Sequence, residues 1–299
     1  FGEHGATDTT FGSTPAPGTT TLVLGTGNAM PKAMALQADG KIVIAGHAYS
    51  GTKPVVAVAR LNPDGSPDTT FDADGIALTD FASSTGAYGR HVTIQSDGRI
   101  VVAGLAIIGG VTQVAAVRYN SNGSLDTTFD GDGKILTAAP AGWFAEARGV
   151  AQAADGRLVI AASFDQAGGG QFALIKYLAN GALDASFGTG GIATRGVGGG
   201  TLHTRGMAML PSGKFLVGGE AGLPGGAGSA FALFTANGAV DAGVGTNGLW
   251  TASDPAGTST EIATLLLLPD GKVVAGGTTS TDGAASYELT WRYGDGGTI

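Results

Sequence analysis

The sequence predicts an all-β fold, a five-bladed β-propeller made of four-stranded antiparallel blades, and three observations lead to this prediction. A short hairpin recurs five times along the 299 residues, at steps of 58, 58, 57 and 58, and a second turn keeps the same steps. Each repeat holds four strand-like runs, and no segment has helical periodicity. A fixed period of this length is typical of repeat folds, and four strands per repeat predict a propeller blade. The hairpin glycines are Gly40, Gly98, Gly156, Gly213 and Gly271; those of the second turn are Gly65, Gly123, Gly181, Gly238 and Gly296.

The hairpin turn is clearest in the third repeat, where Asp155 and Gly156 stand between two apolar runs. Asp-Gly in such a setting is the strongest short-range signal for a hairpin. We expect a two-residue turn in which both residues have positive φ, a conformation that glycine adopts without steric cost.

The second repeat shows the four strands of a blade best. They are expected at residues 90–95, 99–103, 112–119 and 134–137. The loops between the second and third strands differ in sequence from repeat to repeat, which favours one ligand site over five equal ones. These loops are residues 47–53, 105–112, 163–170, 220–229 and 278–285.

The two ends of the chain are complementary parts of one repeat. Residues 1–11 match the segment 62–71 of the first repeat, whereas the last repeat stops where that segment should begin. Residues 1–30, with a strand at 19–24, are therefore expected to complete the fifth blade and close the ring, which removes exposed strand edges. The prediction is one domain, 1–299, with repeats at about 31–81, 82–140, 141–197, 198–254 and 255–299.

The repeats resemble a known family. The segment 36–46 followed by 58–71, which contains the Gln37-Ala38-Asp39-Gly40-Lys41 turn and ends in Asp68-Thr69-Thr70-Phe71, is similar to the delta-60 repeat of bacterial secreted and surface proteins. Repeat four departs from the pattern, because Val244 stands where the phenylalanine should be. The resemblance implies a β-propeller located in the periplasm, at the cell surface or outside the cell. It implies no established chemistry.

The composition of the chain argues against several classes of binding partner and site. The net charge of −8 and pI of about 4.8 argue against general nucleic-acid binding. The chain has no cysteine and no run of about twenty apolar residues, so no disulfide, thiolate metal site or membrane span is expected. Phe1 in place of Met suggests that a leader was removed or the chain trimmed. No cofactor is expected, apart from the calcium option below.

One cation and one carboxylate recur near the second turn of most repeats. Arg60, Arg118 and Lys176 each precede an aspartate by eight residues, at Asp68, Asp126 and Asp184. Asp241 follows Phe234 by seven, and Asp8 is the expected partner of Arg292 in the fifth blade. We interpret these as pairs within blades that stabilise the repeated scaffold; the alternative is a ring of ligand-binding charges.

Two loops carry closely spaced carboxylates. Asp72 and Asp74 in repeat one, and Asp130 and Asp132 in repeat two, precede glycines that bend the chain. Such loops can supply the oxygen ligands that calcium prefers, but the terminal glutamate of a conventional calcium loop is absent. The alternative is an ordinary turn with solvated carboxylates. The histidines share no ligand spacing, so no zinc site is expected.

A second set of cations stands eight residues before the hairpin glycines, where the first strand of each repeat begins. Converging near the mouth of the central channel, they would attract an anion or an acidic glycan; the alternative is that they pair with carboxylates between blades. The cations are Lys32, Arg90, Arg148 and Arg205, with Ala263 in repeat five, and the residues two positions earlier are Met30, Tyr88, Glu146, His203 and Glu261. We include Tyr88 and His203 among the candidate ligand-binding residues.

The loop containing Trp143 and Phe144 has two large aromatic side chains. Trp143 could stack on a sugar ring or bind a protein partner, or it could pack between blades. Enzymatic activity is the other option, since five-bladed propellers include glycosidases that need converging carboxylates. The candidates are Glu146, Glu220 and Glu261, because the predicted inner strands carry no acidic residue.

Three functions follow, in order of preference. The first is a non-catalytic module that binds a glycan or a protein at the channel mouth. The second is a structural or adhesive module of a larger envelope assembly. The third is a carbohydrate-active enzyme that uses the loop carboxylates.

Overall fold

A computed structural model describes residues 6–12, 16–223, 226–252, 259–281 and 285–293. The side chains of residues 252, 259–261, 279–281 and 285–293 lie outside that description. The described residues form nineteen β-strands in five antiparallel sheets and no helix. No helix able to span a membrane occurs among them. The chain divides into two compact units, Phe1–Thr137 and Ala138–Ile299.

The first unit contains two four-stranded sheets, each with its strands in sequence order. Its core packs the two sheets together around Phe71, Val102 and Tyr119. The Tyr119 hydroxyl donates a hydrogen bond of 2.7 Å to the Thr79 hydroxyl. Sheet 1 consists of β1 Ala29–Leu36, β2 Ile42–Ser50, β3 Lys53–Leu61 and β4 Ile76–Thr79; sheet 2 consists of β5 Ser84–Ile94, β6 Ile100–Ile108, β7 Val111–Tyr119 and β8 Lys134–Ala138.

The second unit contains three sheets. Sheets 3 and 4 share a core around Phe172, Phe187 and Phe215, and a smaller core joins sheets 4 and 5 around Phe231 and Ile262. Sheet 3 consists of β9 Phe144–Gln152, β10 Leu158–Gln166, β11 Gly169–Tyr177 and β12 Ile192–Gly196. Sheet 4 consists of β13 Leu202–Met209, β14 Phe215–Leu223, β15 Gly226–Phe234 and β16 Leu249–Ala252; sheet 5 consists of β17 Ser259–Leu267, β18 Val273–Thr281 and β19 Ala285–Tyr293.

The hairpin turns occur where predicted but have a different geometry. In the first repeat Gly40 has φ of +81°, whereas Asp39 is not among the residues with positive φ. The Gly40 N–H donates to the Gln37 carbonyl and the Gln37 N–H to the Lys41 carbonyl. This is a longer turn that ends in a left-handed glycine, so the expectation of two positive φ angles was wrong. The Asp39 carboxylate accepts the Lys41 N–H at 3.2 Å, which explains the aspartate.

The strands are longer than the sequence predicted. In repeat two, β6 and β7 extend through the expected loop and leave Gly109 and Gly110 as the tip of the hairpin. The equivalent tips lie at Gly51 in repeat one and Gly168 in repeat three. In repeats one and three polar and glycine residues near the tips carry no strand pattern of their own, and cross-strand pairing decides their conformation, whereas Leu105, Ile107 and Ile108 of repeat two are strand-forming residues.

The N-terminal segment contacts sheet 1 but forms no strand in its described part. The Gly12 N–H donates to the Asp64 carbonyl at 2.6 Å, and the Thr20 hydroxyl donates to the Gly65 carbonyl at 2.7 Å. The expected strand at residues 19–24 is therefore not formed, because these residues bond to a turn and pair with no described strand. Residues 1–5 and 13–15 of the predicted closing segment lie outside the described residues.

This docking has equivalents elsewhere in the chain. In the first unit the Asp72 N–H donates to the Asn122 carbonyl, and in the second the Gly188 N–H donates to the Asn237 carbonyl, both at 2.8 Å. Gly12 follows Phe11 just as these donors follow Phe71 and Phe187. The segment therefore contacts sheet 1 as the end of one repeat contacts the turn of the next.

Candidate functional site

The recurring Arg and Asp residues form buried ion pairs. The Arg60 Nε lies 2.6 Å from Asp68 Oδ2, and the Arg118 Nε lies 2.7 Å from Asp126 Oδ2. All four side chains are at most 5% exposed. The predicted pairs in repeats one and two are therefore confirmed, and their burial supports the structural interpretation.

Repeat three uses different partners from those predicted. The Lys176 Nζ lies 3.3 Å from Asp155, whereas Asp184 is approached by Arg157 at 3.2 Å. The predicted Lys176–Asp184 pair was wrong, because the lysine reaches the carboxylate of the hairpin turn instead. In repeat four Phe234 joins the core, and Asp241 is bound by Lys214 at 2.9 Å.

A second cation, which the sequence analysis missed, completes each buried carboxylate site. Lys41 lies 2.9 Å from Asp68, and Arg99 lies 3.0 Å from Asp126. Burial alone would raise the pKa of Asp68, but the Thr70 hydroxyl, Lys41 and Arg60 together hold that pKa well below its ordinary value. The oxygens of these two carboxylates already bind cations and hydroxyl groups of the scaffold, so the carboxylates are poor candidates for binding a ligand.

The proposed calcium loops are turns with internal hydrogen bonds. Asp72 and Asp130 have positive φ, at 48° and 52°. Asp74 accepts the Ile76 N–H, and Asp132 accepts the Lys134 N–H, both at 2.9 Å. Within the described ranges no three histidine or acidic side chains come together as they would around a metal ion.

In the second unit the candidate cations are paired with glutamates. The Arg148 Nη2 lies 2.7 Å from Glu146 Oε2, and the Arg205 Nη2 lies 3.1 Å from Glu220 Oε2. Two of the three acid–base candidates are therefore ion-paired. Glu261 lies on β17 opposite Thr278, and its side chain lies outside the described part.

The first unit presents a different arrangement, which we call the basic cluster and define as Lys32, His47, Tyr88 and Arg90. The Arg90 guanidinium lies over the Tyr88 ring at 5.6 Å, and the His47 ring meets the same tyrosine edge-on at 4.8 Å. Lys32 is exposed on β1, and no carboxylate lies within 4 Å of it among the described residues. The charges of Arg90 and Lys32 both act on His47. Such a site can contact a sugar with its aromatic ring and neutralise an acidic substituent with its cations.

The distribution of charge along the strands reinforces this difference. No strand from β1 to β8 contains aspartate or glutamate; the acidic residues of the described first unit lie in turns and loops. In the second unit β9, β10 and β14 carry Glu146, Asp165 and Glu220. The strands of the first unit are therefore the better surface for an anion.

The aromatic loop and His203 lie in the second unit. Trp143 is half-buried, and its backbone N–H donates to the Pro140 carbonyl at 3.0 Å. Phe144, at the start of β9, is 44% exposed. His203 is exposed on β13 opposite Glu220. Because these residues and the basic cluster belong to different units, each is a separate candidate.

Three segments, residues 37–71, 95–129 and 153–187, match the family model described as "Domain of unknown function (DUF5122) beta-propeller". The chain carries β-propeller repeats. The matched segments run from the hairpin turn to Phe71, Phe129 and Phe187, and so contain the buried aspartate of each repeat. No curated protein matches the chain.

Several solved structures share the fold. A protein of unknown function from Dyadobacter fermentans DSM 18053 aligns with a TM-score of 0.52 and 13% identity over 88% of this chain and 75% of that one. An ulvan lyase, a polysaccharide lyase bound to -[GlcA(1-4)Rha3S]-, aligns with a TM-score of 0.51 and 13% identity over 91% of this chain and 71% of that one. The PQQ-bound aldose sugar dehydrogenase from Streptomyces coelicolor aligns with a TM-score of 0.50 and 13% identity over 90% of this chain and 81% of that one. At such identities the likeness shows the fold alone.

His47 is the site residue that the sequence analysis did not select. It stands next to Gly46, so that β2 approaches β1 closely: an added Cβ on Gly46 would lie 2.0 Å from the Met30 carbonyl oxygen. His47 pairs with Met30 across the two strands. Alignment of the repeats could have selected this residue. One position of the repeat holds a histidine only in repeat one; its residues are His47, Leu105, Ser163, Glu220 and Thr278.

Proposed function

We propose that this protein is a non-catalytic β-propeller module that binds an acidic saccharide at the basic cluster. The observation that carries the proposal is the Arg90 guanidinium over the Tyr88 ring, with Arg90 and Lys32 both close enough for their charges to act on His47, on strands without acidic residues. Aromatic rings contact the faces of sugars, and cations form short, strong hydrogen bonds with carboxylate or sulfate groups.

The structural neighbours support a saccharide as the ligand. The ulvan lyase and the aldose sugar dehydrogenase act on sugars by their names, and the lyase is bound to a saccharide with an acidic unit. A location outside the cytoplasm, which the resemblance of the repeats implies, accords with such a ligand. The ion pairs of Glu146 and Glu220 disfavour catalysis, because a general acid or base must be available to exchange protons with substrate.

A glycan array followed by titration of the best acidic oligosaccharide tests the proposal. The variant is Lys32→Ala with Arg90→Ala, and the matched control is Lys53→Ala with Lys272→Ala, which removes two cations from exposed ion pairs. We expect the first variant to lose affinity at least tenfold, about 1.4 kcal/mol, and the control to bind within about twofold. Equal losses in both variants, or no acidic glycan bound, would refute it.

A turnover assay on the same glycans addresses the enzymatic alternative. Product formation by the wild type that is abolished in Glu146→Gln or Glu220→Gln would make the protein a carbohydrate-active enzyme. Binding without product supports the module.

We also propose that the five sheets are the blades of one closed propeller and that the ring closes at residues 1–30, which would lie against the three strands of the last blade without adding the expected strand at 19–24. The support is the period of the sequence, the three strands of sheet 5 and the contacts of Gly12 and Thr20 with the first repeat. Closure would cover the outer edge of β19, which is otherwise the exposed edge of a three-stranded sheet.

A further inference from the structure

We propose that His47 is a specificity-determining residue of the basic cluster, which takes up a proton when an acidic saccharide binds, so that binding tightens as the pH falls. This inference rests on the proposed function and adds to it a residue and a regulation that the sequence analysis did not anticipate.

His47 is buried and has an unused polar atom. The histidine is 6% exposed, and its Nδ1 has no hydrogen-bond partner among the described residues. The imidazole meets the Tyr88 ring, and the residue also lines a mainly apolar cavity of about 220 Å³ together with Met30 and Gly46. An unpaired polar atom in such a place costs free energy, so an anion that accepted a hydrogen bond from the protonated Nδ1 would remove that cost.

Among the residues that the structure describes, the two charged groups that act on His47 are both cations. Lys32 approaches from β1 and Arg90 from β5, while β3, the other neighbour of β2, faces it with Val56. Tyr88 is the other titratable group in contact with it. Burial, followed by the charges of Arg90 and Lys32, lowers the pKa of His47 below its ordinary value of 6.5. The surroundings in the free protein therefore favour the neutral imidazole.

An anion at the basic cluster reverses this balance. Its charge compensates Lys32 and Arg90 and attracts an imidazolium, so the pKa of His47 is higher in the complex than in the free protein. Linkage then requires that binding take up protons and that affinity rise as the pH falls through this range. Uronate and sulfate groups stay ionised above about pH 5, so the ligand's own charge does not change.

The equivalent residues of the other repeats cannot do this. Ser163 already accepts the Thr204 N–H at 2.7 Å, and Glu220 is paired with Arg205. Leu105 has no polar group, and Thr278 does not titrate in this range. Proton-linked binding is therefore confined to the first repeat, which predicts one pH-dependent site per chain.

Calorimetric titration with a sulfated, glucuronate-containing oligosaccharide at pH 7.5, 6.5 and 5.5 tests the inference. Two buffers with different heats of ionisation report the protons taken up. We expect the wild-type affinity to rise about fivefold or more from pH 7.5 to 5.5, equivalent to about 1 kcal/mol, with proton uptake. In His47→Gln the rise should be largely lost. His91→Gln is the matched control, because His91 is also largely buried with an unpaired Nδ1, and it should keep the rise.

The outcomes separate the two proposals. Binding that requires Lys32 and Arg90 but is independent of pH, or equally pH-dependent in His47→Gln, overturns the inference and leaves the proposed function standing. No binding at any pH overturns both. If His47→Gln does not fold, the pKa of His47 measured by NMR in the wild type, with and without the oligosaccharide, decides: an unchanged pKa overturns the inference.

Discussion

Arg60 and Asp68 are joined by a hydrogen bond of 2.6 Å from Nε to Oδ2, with side chains only 5% and 3% exposed. The guanidinium also donates to the Ser121 carbonyl of the next repeat and lies 4.7 Å above the Phe71 ring. One arginine thus connects a carboxylate, an aromatic core residue and a neighbouring turn. Because the pair is shielded from water, its loss costs far more than the loss of a surface pair.

Replacing Asp68 by Ala should strongly destabilise the protein. It leaves Arg60 buried without its counterion, a change that costs about 3–5 kcal/mol. Urea denaturation provides the measurement. Asp270→Ala, which breaks an exposed pair with Lys272, is the control and should change the unfolding free energy by less than about 1 kcal/mol. Similar effects in the two variants would contradict the shielding argument.

Gly65→Ala should cost more stability than Gly98→Ala. Both glycines have nearly the same φ, +81° and +83°, so backbone strain of about 1–2 kcal/mol applies equally. A Cβ on Gly65 would lie 2.9 Å from both the Phe11 ring and the Thr20 hydroxyl, whereas one on Gly98 has no described atom within 4 Å. The additional loss of unfolding free energy in Gly65→Ala, measured by chemical denaturation, therefore reports how firmly the N-terminal segment docks. Equal costs would mean that it does not.

Stability should decline as the solution is acidified from pH 7.5 to 5.5. Burial lowers the pKa of His91, and burial with nearby cations lowers that of His47. A folded-state pKa below the unfolded one makes the unfolded chain bind more protons, so stability falls as the pH drops through the ordinary value of 6.5. Urea midpoints at the two pH values test this. The decline should shrink in His91→Gln; an unchanged decline would remove His91 as its cause.

Closure of the ring can be tested with a pair of residues that the sequence assigns to one blade. Asp8 follows the pattern of Asp68, since it accepts the Thr10 N–H at 2.9 Å, and Arg292 is its predicted partner. A double-mutant cycle with Asp8→Asn and Arg292→Ala should give a coupling energy of about 1 kcal/mol or more in a closed propeller. Additive effects of the two substitutions would argue against closure.

The sequence predicted the parts of the fold that repeat. The period located all five hairpin turns, and the eight-residue spacing identified the pairs of Arg60 and Arg118, because repetition makes a weak local signal visible five times. Prediction from the sequence failed where an ion pair depended on which side chains meet across strands. Lys176 could reach either Asp155 or Asp184, and spacing along the chain does not distinguish them.

The candidate site was less predictable for the same reason. The spacing that selected Lys32, Arg90, Arg148 and Arg205 treats them as equivalent and does not show that Arg148 pairs with Glu146 or that Arg205 pairs with Glu220. His47 lies on another strand and matched no motif. Its proximity to Tyr88 arises from packing between sheets 1 and 2, which no local pattern encodes.

The hairpin tips at Gly51, Gly109, Gly110 and Gly168 have a consequence for how such a chain can change over time. A side chain added at any of these glycines would meet no described atom within 4 Å. Insertions there lengthen an exposed turn without disturbing a sheet, and longer surface loops cost little closure entropy. New recognition surfaces can therefore be acquired at the tips one repeat at a time, while the buried aspartates and phenylalanines keep the frame unchanged.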